Sequence, residues 1–173
     1  MEKPTAWKIL VLGDIGVGKT TLVQSFVYGY TSPQHIENNY DIYQKRTSSL
    51  GKTLIIDFLD FPCKAMQYSS MTGFVIVYSV NNRDSFEMVN STLQRLQCVK
   101  GNIPVVILGN KCDEEVRRKV TTDEAVNLAE RWNVPFLETS AKFRINIEEA
   151  FNALIAEIYQ KMKMSKDKPC TIS

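Results

Sequence analysis

A chain of 173 residues with an ordinary apolar fraction is long enough for one domain with a real core and too short for two of usual size. Its net charge of +2 excludes bulk attraction to nucleic acid or to a membrane surface, and no apolar run approaches the ~18 residues that a membrane span needs. The four cysteines, Cys63, Cys98, Cys112 and Cys170, sit at no metal-ligand or redox-motif spacing. With no secretory signal after Met1, a cytosolic chain with reduced thiols is expected.

Residues 7–12 read as a buried strand, and residues 20–26 as the start of a helix. Between them stands Gly13-Asp14-Ile15-Gly16-Val17-Gly18-Lys19-Thr20, which fits G-x-x-x-x-G-K-[ST], the phosphate-binding loop. A strand, a glycine-rich loop and a helix N-terminus gather backbone N–H groups and the positive end of the helix dipole around one anion. Gly13 and Gly18 are expected to let the backbone approach phosphates without a Cβ in the way. Lys19 is expected to reach the β- and γ-phosphates, and the Thr20 hydroxyl to ligand Mg²⁺. Thr21 completes the expected phosphate-binding set.

Residues 29–35 are polar and read as a loop. It holds the single histidine, His35, which reads as exposed, since no second ligand surrounds it. Residues 40–49 and 53–59 read as two strands joined through Leu50-Gly51-Lys52, a hairpin turn, with Asp60 ending the second. Residues 74–80 are a continuous apolar run, the mark of a strand buried on both faces. Asp84 or Ser85 can cap a helix carrying Phe86, Val89, Leu93 and Leu96 on one side. Residues 103–108 read as another buried strand. Thr122 can cap a helix through Trp132, with Ala125, Leu128 and Ala129 facing in. Residues 135–138 form a short strand, and residues 147–162 a long amphipathic helix with Phe151, Leu154, Ile155 and Ile158. This alternation predicts an α/β domain over residues 1–164. Its sheet would be six-stranded and mostly parallel, with helices on both faces and one antiparallel edge strand. Residues 165–173, polar and lysine-rich, read as a flexible tail.

Two motifs follow later strands: Asn110-Lys111-Cys112-Asp113 and Glu138-Thr139-Ser140-Ala141-Lys142. In an open α/β sheet, ligands sit beyond the carboxyl ends of the strands, so both loops open onto the phosphate-loop side. With these motifs the chain resembles the Ras-like small GTPases, whose guanine-recognition motifs are N-K-x-D and S-A-K, from Lys8 to the terminal tetrapeptide. The resemblance implies a P-loop G domain that binds GTP or GDP with Mg²⁺. By it, the Asp113 carboxylate accepts from the ring N–H and the exocyclic amino group of guanine. Adenine lacks that donor pair, so a buried carboxylate facing it would stay unpaired. Asn110 would tie this loop to the phosphate loop, the Lys111 stem would lie along the ring, and the Ala141 N–H would donate to the guanine carbonyl. Ser140 and Lys142 flank it. Tyr30 is the candidate aromatic beside the base, with a plain surface tyrosine the other reading.

The switch positions depart from the family. Its second switch begins D-x-x-G followed by a water-orienting glutamine; here the chain reads Asp60-Phe61-Pro62-Cys63-Lys64. Asp60 matches and would hold Mg²⁺ through water, but Cys63 replaces the glycine and Lys64 the glutamine. The segment up to Phe74 is also shorter than the family's. In the first switch the Mg²⁺-binding threonine position falls on Asn38, between Glu37 and Asn39, which offers a side-chain carbonyl oxygen instead. Asp14 resembles the Rho and Rab branches, and Ile15 stands where the Ras branch has glycine, beside the transferred phosphoryl group.

The chain ends Cys170-Thr171-Ile172-Ser173, which fits C-a-a-X with a serine that favours farnesyl. Lys161, Lys163, Lys166 and Lys168 precede it and would supply the second membrane signal. Two functions are expected from these features. One is a monomeric, membrane-anchored guanine-nucleotide switch on the cytoplasmic face of the plasma membrane, with impaired hydrolysis and no nucleic-acid partner. The other is a pseudo-GTPase module that holds nucleotide without cycling.

Overall fold

The strand Thr5–Gly13 (β1) alternates Trp7, Ile9 and Val11 with Leu10, and this alternation assigns the two faces of the domain. The computed structural model describes residues 5–29, 41–49, 52–60, 65–101 and 103–166. β1 lies inside a six-stranded sheet with β2 (Asp41–Ser49), β3 (Lys52–Asp60), β4 (Gly73–Ser79), β5 (Val105–Asn110) and β6 (Phe136–Thr139). The order is β2-β3-β1-β4-β5-β6. Only β2 runs antiparallel, on β3, and it forms one edge; the other four pairings are parallel. The predicted architecture is therefore observed.

Four helices cover the sheet: α1 (Lys19–Tyr28), α2 (Arg83–Lys100), α3 (Thr122–Trp132) and α4 (Ile147–Lys166). Trp7, Ile9 and Val11 pack with Leu22, Val23 and Phe26 of α1 and with Phe151, Leu154 and Ile158 of α4. Phe26 stacks on Phe151 with centroids 4.2 Å apart, and Phe58 meets Phe151 edge-on at 5.2 Å. Each such ring withdrawn from water is worth about 2–3 kcal/mol. Leu10 faces the other way, into the second apolar cluster, which holds Phe86, Val89, Leu93 and Leu96 of α2 and Leu128 of α3. Every residue of β4 and β5 is buried, as a central parallel strand covered on both sides must be.

The ends of the elements differ from the expectations. α2 is capped by Asn82, whose Oδ1 accepts from Ser85 N–H at 3.2 Å, and not by Asp84 or Ser85. Ser85 is instead buried, donating to Asn82 O at 2.7 Å and accepting from Ser79 N–H. α3 is capped by Thr121 with Glu124 in a reciprocal capping box, and Thr122 is its first helical residue. β5 starts two residues later than expected, after Pro104, which has no N–H for the ladder. α4 runs on to Lys166. Two 3₁₀ turns, Ala65–Ser70 and Glu115–Arg117, carry no apolar periodicity that would have signalled them.

Candidate nucleotide-binding site

The phosphate loop leaves β1 at Gly13, with φ +150°, and enters α1 through Gly18, with φ +96°. The steric reasons for these two glycines lie in the protein. A Cβ on Gly13 would sit 2.2 Å from the Val77 carbonyl oxygen, and one on Gly18 would sit 2.4 Å from Asn110 Nδ2. Gly16 also has positive φ, with open space around it. Asp14 Oδ1 accepts from Ile15 N–H at 2.7 Å, closing the first turn of the loop. Ile15 stands at its crest with 91% of its surface exposed, whereas Val17 is buried in the core. Lys19 Nζ donates to the carbonyls of Asp14 and Gly13 at 2.9 and 3.2 Å, which holds the ammonium over the loop.

Thr20 and Thr21 fall in the first turn of α1, both half-buried. The Thr20 hydroxyl donates to Asp60 Oδ2, at the carboxyl end of β3. Two of the three residues expected to hold Mg²⁺ are thus brought together, and the third, Asn38, lies outside the described residues. A hydroxyl and a carboxylate are hard oxygen donors that suit an ion which keeps much of its water, so these residues fit the metal. Among the described residues no group of three or more acidic, histidine or cysteine side chains could make a fuller cage.

The base-side motifs converge on this loop. Asn110, at the end of β5, is 2% exposed and donates from Nδ2 to the Val17 carbonyl at 2.8 Å. Its Oδ1 accepts from the Ala141 N–H at 3.3 Å and from the Thr139 hydroxyl at 3.4 Å. Lys111, in a left-handed conformation, donates from Nζ to the Gly16 carbonyl at 2.8 Å. The half-buried Asp113 carboxylate has no hydrogen-bond partner among the described residues. Burial, with Glu138 and Asp113 adding negative charge, pushes the neighbouring Cys112 thiol above its ordinary range. The loop after β6 is tight. Ser140 and Ile145 exchange backbone bonds at 3.2 and 3.0 Å, and Phe143 N–H donates to Ser140 Oγ. Lys142 is exposed, its ammonium 5.1 Å from the Phe143 ring centroid.

Residues outside the motifs set this loop in place. Arg118 grips Glu138 with two bonds of 2.7 and 3.0 Å, and Thr122 Oγ1 donates to the same carboxylate. The bond to Glu138 raises the Arg118 guanidinium above its already high range. No local pattern marks Arg118, which follows the 3₁₀ turn Glu115–Arg117 while its partner lies 20 residues on, in β6. The acidic residue opening E-T-S-A-K was the one signal that a cation must be found for it. Tyr30, Asn38, Cys63, Lys64 and Cys170, with His35 and Pro62, lie outside the described residues.

A glycine-rich loop between β1 and α1, with two base-side loops fastened to it at the carboxyl edge of a mostly parallel sheet, defines a P-loop nucleotide-binding domain. The profile of the Ras family matches residues 8–160. Over 159 residues the chain is 41% identical to Ras-like protein 1 of Saccharomyces cerevisiae, a match covering 86% of this chain and 51% of that relative. It is 36% identical over 173 residues to Ras-like protein rasB of Dictyostelium discoideum, covering 94% of this chain and 87% of the relative. The chain thus spans about half the length of the yeast relative and most of the other. It belongs to the Ras family of small GTPases.

Proposed function

We propose that this chain is a guanine-nucleotide switch of the Ras type that hydrolyses GTP slowly. The observation that carries the nucleotide part is the pair of bonds from Asn110 to Val17 and from Lys111 to Gly16. They set an unpaired carboxylate, Asp113, at a fixed distance from an anion-binding loop, as recognition of a base and its phosphates requires. Asp113 accepts from the two adjacent donors of guanine, and the N–H groups of the loop with Lys19 receive the phosphates. Thr20 and Asp60 orient Mg²⁺, whose chemistry there is neutralisation of phosphate charge. Nucleotide released by denaturing the purified protein tests this. Guanine nucleotide is expected, and Asp113→Asn should shift preference towards xanthine, whose carbonyl pairs with the new amide N–H₂. Equal GTP affinity in that variant would rule Asp113 out as the base reader.

Slow hydrolysis follows from the composition of the switches. A water-orienting group must accept a hydrogen bond, and a charged Lys64 has three donors and no acceptor. Ile15 adds a stiff β-branched side chain at the crest of the loop, where a misplacement of about 1 Å can cost on the order of a hundredfold in rate. Single-turnover hydrolysis of preloaded GTP, in wild type, Lys64→Gln, Ile15→Gly and the double variant, measures each contribution. A wild-type rate equal to that of an ordinary family member refutes slow turnover. A pseudo-GTPase that never cycles is the second reading, favoured by the same residues. It predicts bound GTP, where slow turnover predicts GDP.

We propose further that the protein is a monomer held on the cytoplasmic face of the plasma membrane by a farnesyl group on Cys170 with Lys163, Lys166 and Lys168; Lys161, expected to join them, instead donates from Nζ to the Ile103 carbonyl and pairs with Glu157 on α4. One chain anchors only marginally, and each lysine near an anionic surface adds about 1 kcal/mol. Cys170→Ser should move the protein to the cytosolic fraction; unchanged fractionation overturns the lipid anchor.

A further inference from the structure

The base-side loops are joined both to the phosphate loop that leads into α1 and to the far end of that helix. Ahead of α1, Asn110 and Lys111 bond the Val17 and Gly16 carbonyls of the phosphate loop. At the C-terminal end the link is made by Arg144, four residues past Ser140. Arg144 has a left-handed backbone, with φ +57°. Its Nη1 donates to the Gly29 carbonyl, and its Nη2 lies 3.9 Å from Glu148 Oε1. Gly29 is the C-cap of α1, itself left-handed, and a Cβ there would come within 3.1 Å of Arg144 Nη1. Glu148 is shared with Lys45 at 3.6 Å, and Lys45 donates to the Phe26 carbonyl at 2.6 Å. Two carbonyls at the end of α1 therefore each receive a cation, the placement that the negative end of a helix dipole favours. One glutamate lies between those cations.

The first turn of α1 holds Lys19 and Thr20, which face the phosphate side. The helix is ten residues long, a rod of about 15 Å. A nucleotide held between this rod and the base-side loop leaves only as the two part, so every bond across that seam adds to the barrier. We propose that Arg144 is a positioning residue that clamps the loop after β6 onto the end of α1 and so slows release of guanine nucleotide. This rests on the nucleotide-switch reading above. The bond is charge-assisted and bridges two separate elements, and its side chain is 42% exposed, so removing it leaves the core intact.

The test uses the full chain loaded with a fluorescent GDP analogue and chased with excess GDP. Release from Arg144→Ala should be about five- to tenfold faster than from wild type, the effect of losing one charge-assisted bond. The association rate and the melting temperature should stay close to wild type. Arg144→Lys should recover part of the retention, because an ammonium can donate to the same carbonyl, and Glu148→Gln should fall between wild type and Arg144→Ala. Release from Arg144→Ala at the wild-type rate overturns the clamp. So does a loss equal in the alanine and lysine variants with a lowered melting temperature in both, which would mark a structural role. Wild-type protein that takes up no labelled GDP refutes the nucleotide reading, and the clamp with it.

Discussion

The Thr20 hydroxyl donates to Asp60 Oδ2, which links the first turn of α1 to the end of β3 across 40 residues of chain. The hydroxyl can turn its hydrogen to the carboxylate and leave its lone pairs to a cation, so the contact suits the proposed Mg²⁺ site. Thr20→Ala should weaken Mg²⁺ dependence of nucleotide retention by on the order of tenfold to a hundredfold. Release measured against Mg²⁺ concentration reads this, and Thr20→Ser should restore it. A titration unchanged in the alanine variant would remove Thr20 from the metal site.

Asn110→Ala should destabilise the fold and speed nucleotide loss together. The change leaves the Val17 carbonyl without its 2.8 Å donor and frees the Ala141 N–H. A cost of about 2–4 kcal/mol is expected for a buried side chain with several partners. Urea unfolding measures it, and a loss below about 0.5 kcal/mol would mean that the bond is not holding the loops.

Tyr78 offers a substitution of opposite sign. Its ring is fully buried between Phe86 and Phe136, and its hydroxyl has no hydrogen-bond partner among the described residues. Burial pushes the phenol far above its ordinary range, with Glu138 adding to the effect. Tyr78→Phe removes a desolvated hydroxyl and keeps the ring, so stability should rise by up to about 1–2 kcal/mol. A drop in the unfolding midpoint would show that the hydroxyl is satisfied in solution.

Acid should loosen the start of α3. The bond from Arg83, then the Thr121 N–H and hydroxyl, hold the Glu124 carboxyl down to about 2 from an ordinary 4.5. A carboxyl whose folded value is depressed stabilises fully above its unfolded value and loses that contribution as pH falls through the folded one. Between about pH 4.5 and 2 the melting temperature of wild type should therefore fall more steeply than that of Glu124→Gln. Parallel profiles would deny Glu124 this role.

The sheet was legible because strand and helix periods alternate cleanly from Trp7 to Ile158, and the site was legible because three of its motifs are contiguous. The helix starts were not. Asn82 and Thr121 act one to three residues before the positions that seemed fit to cap, and which oxygen reaches the N3 amide depends on backbone angles that composition does not reveal. Arg118 and Arg144 stayed hidden for a different reason. Each holds a motif from outside it, by pairings of 20 and 115 residues' separation that no local pattern encodes. Two glycines of the phosphate loop, expected to make room for phosphates, are required by the protein itself. A Cβ at Gly13 would meet Val77, and one at Gly18 would meet Asn110.

That last contact bears on how the protein is made. The loop is written in eight consecutive residues, yet its shape leans on a carbonyl at position 77 and an amide at position 110. A nascent chain growing at about 5–20 residues per second needs on the order of five to twenty seconds after Gly18 before Asn110 even exists. Until then the loop has the Val77 carbonyl beside Gly13 but lacks the amide beside Gly18. A fragment ending before Asn110 would carry the whole eight-residue signature without the amide that bonds the Val17 carbonyl and shapes the loop.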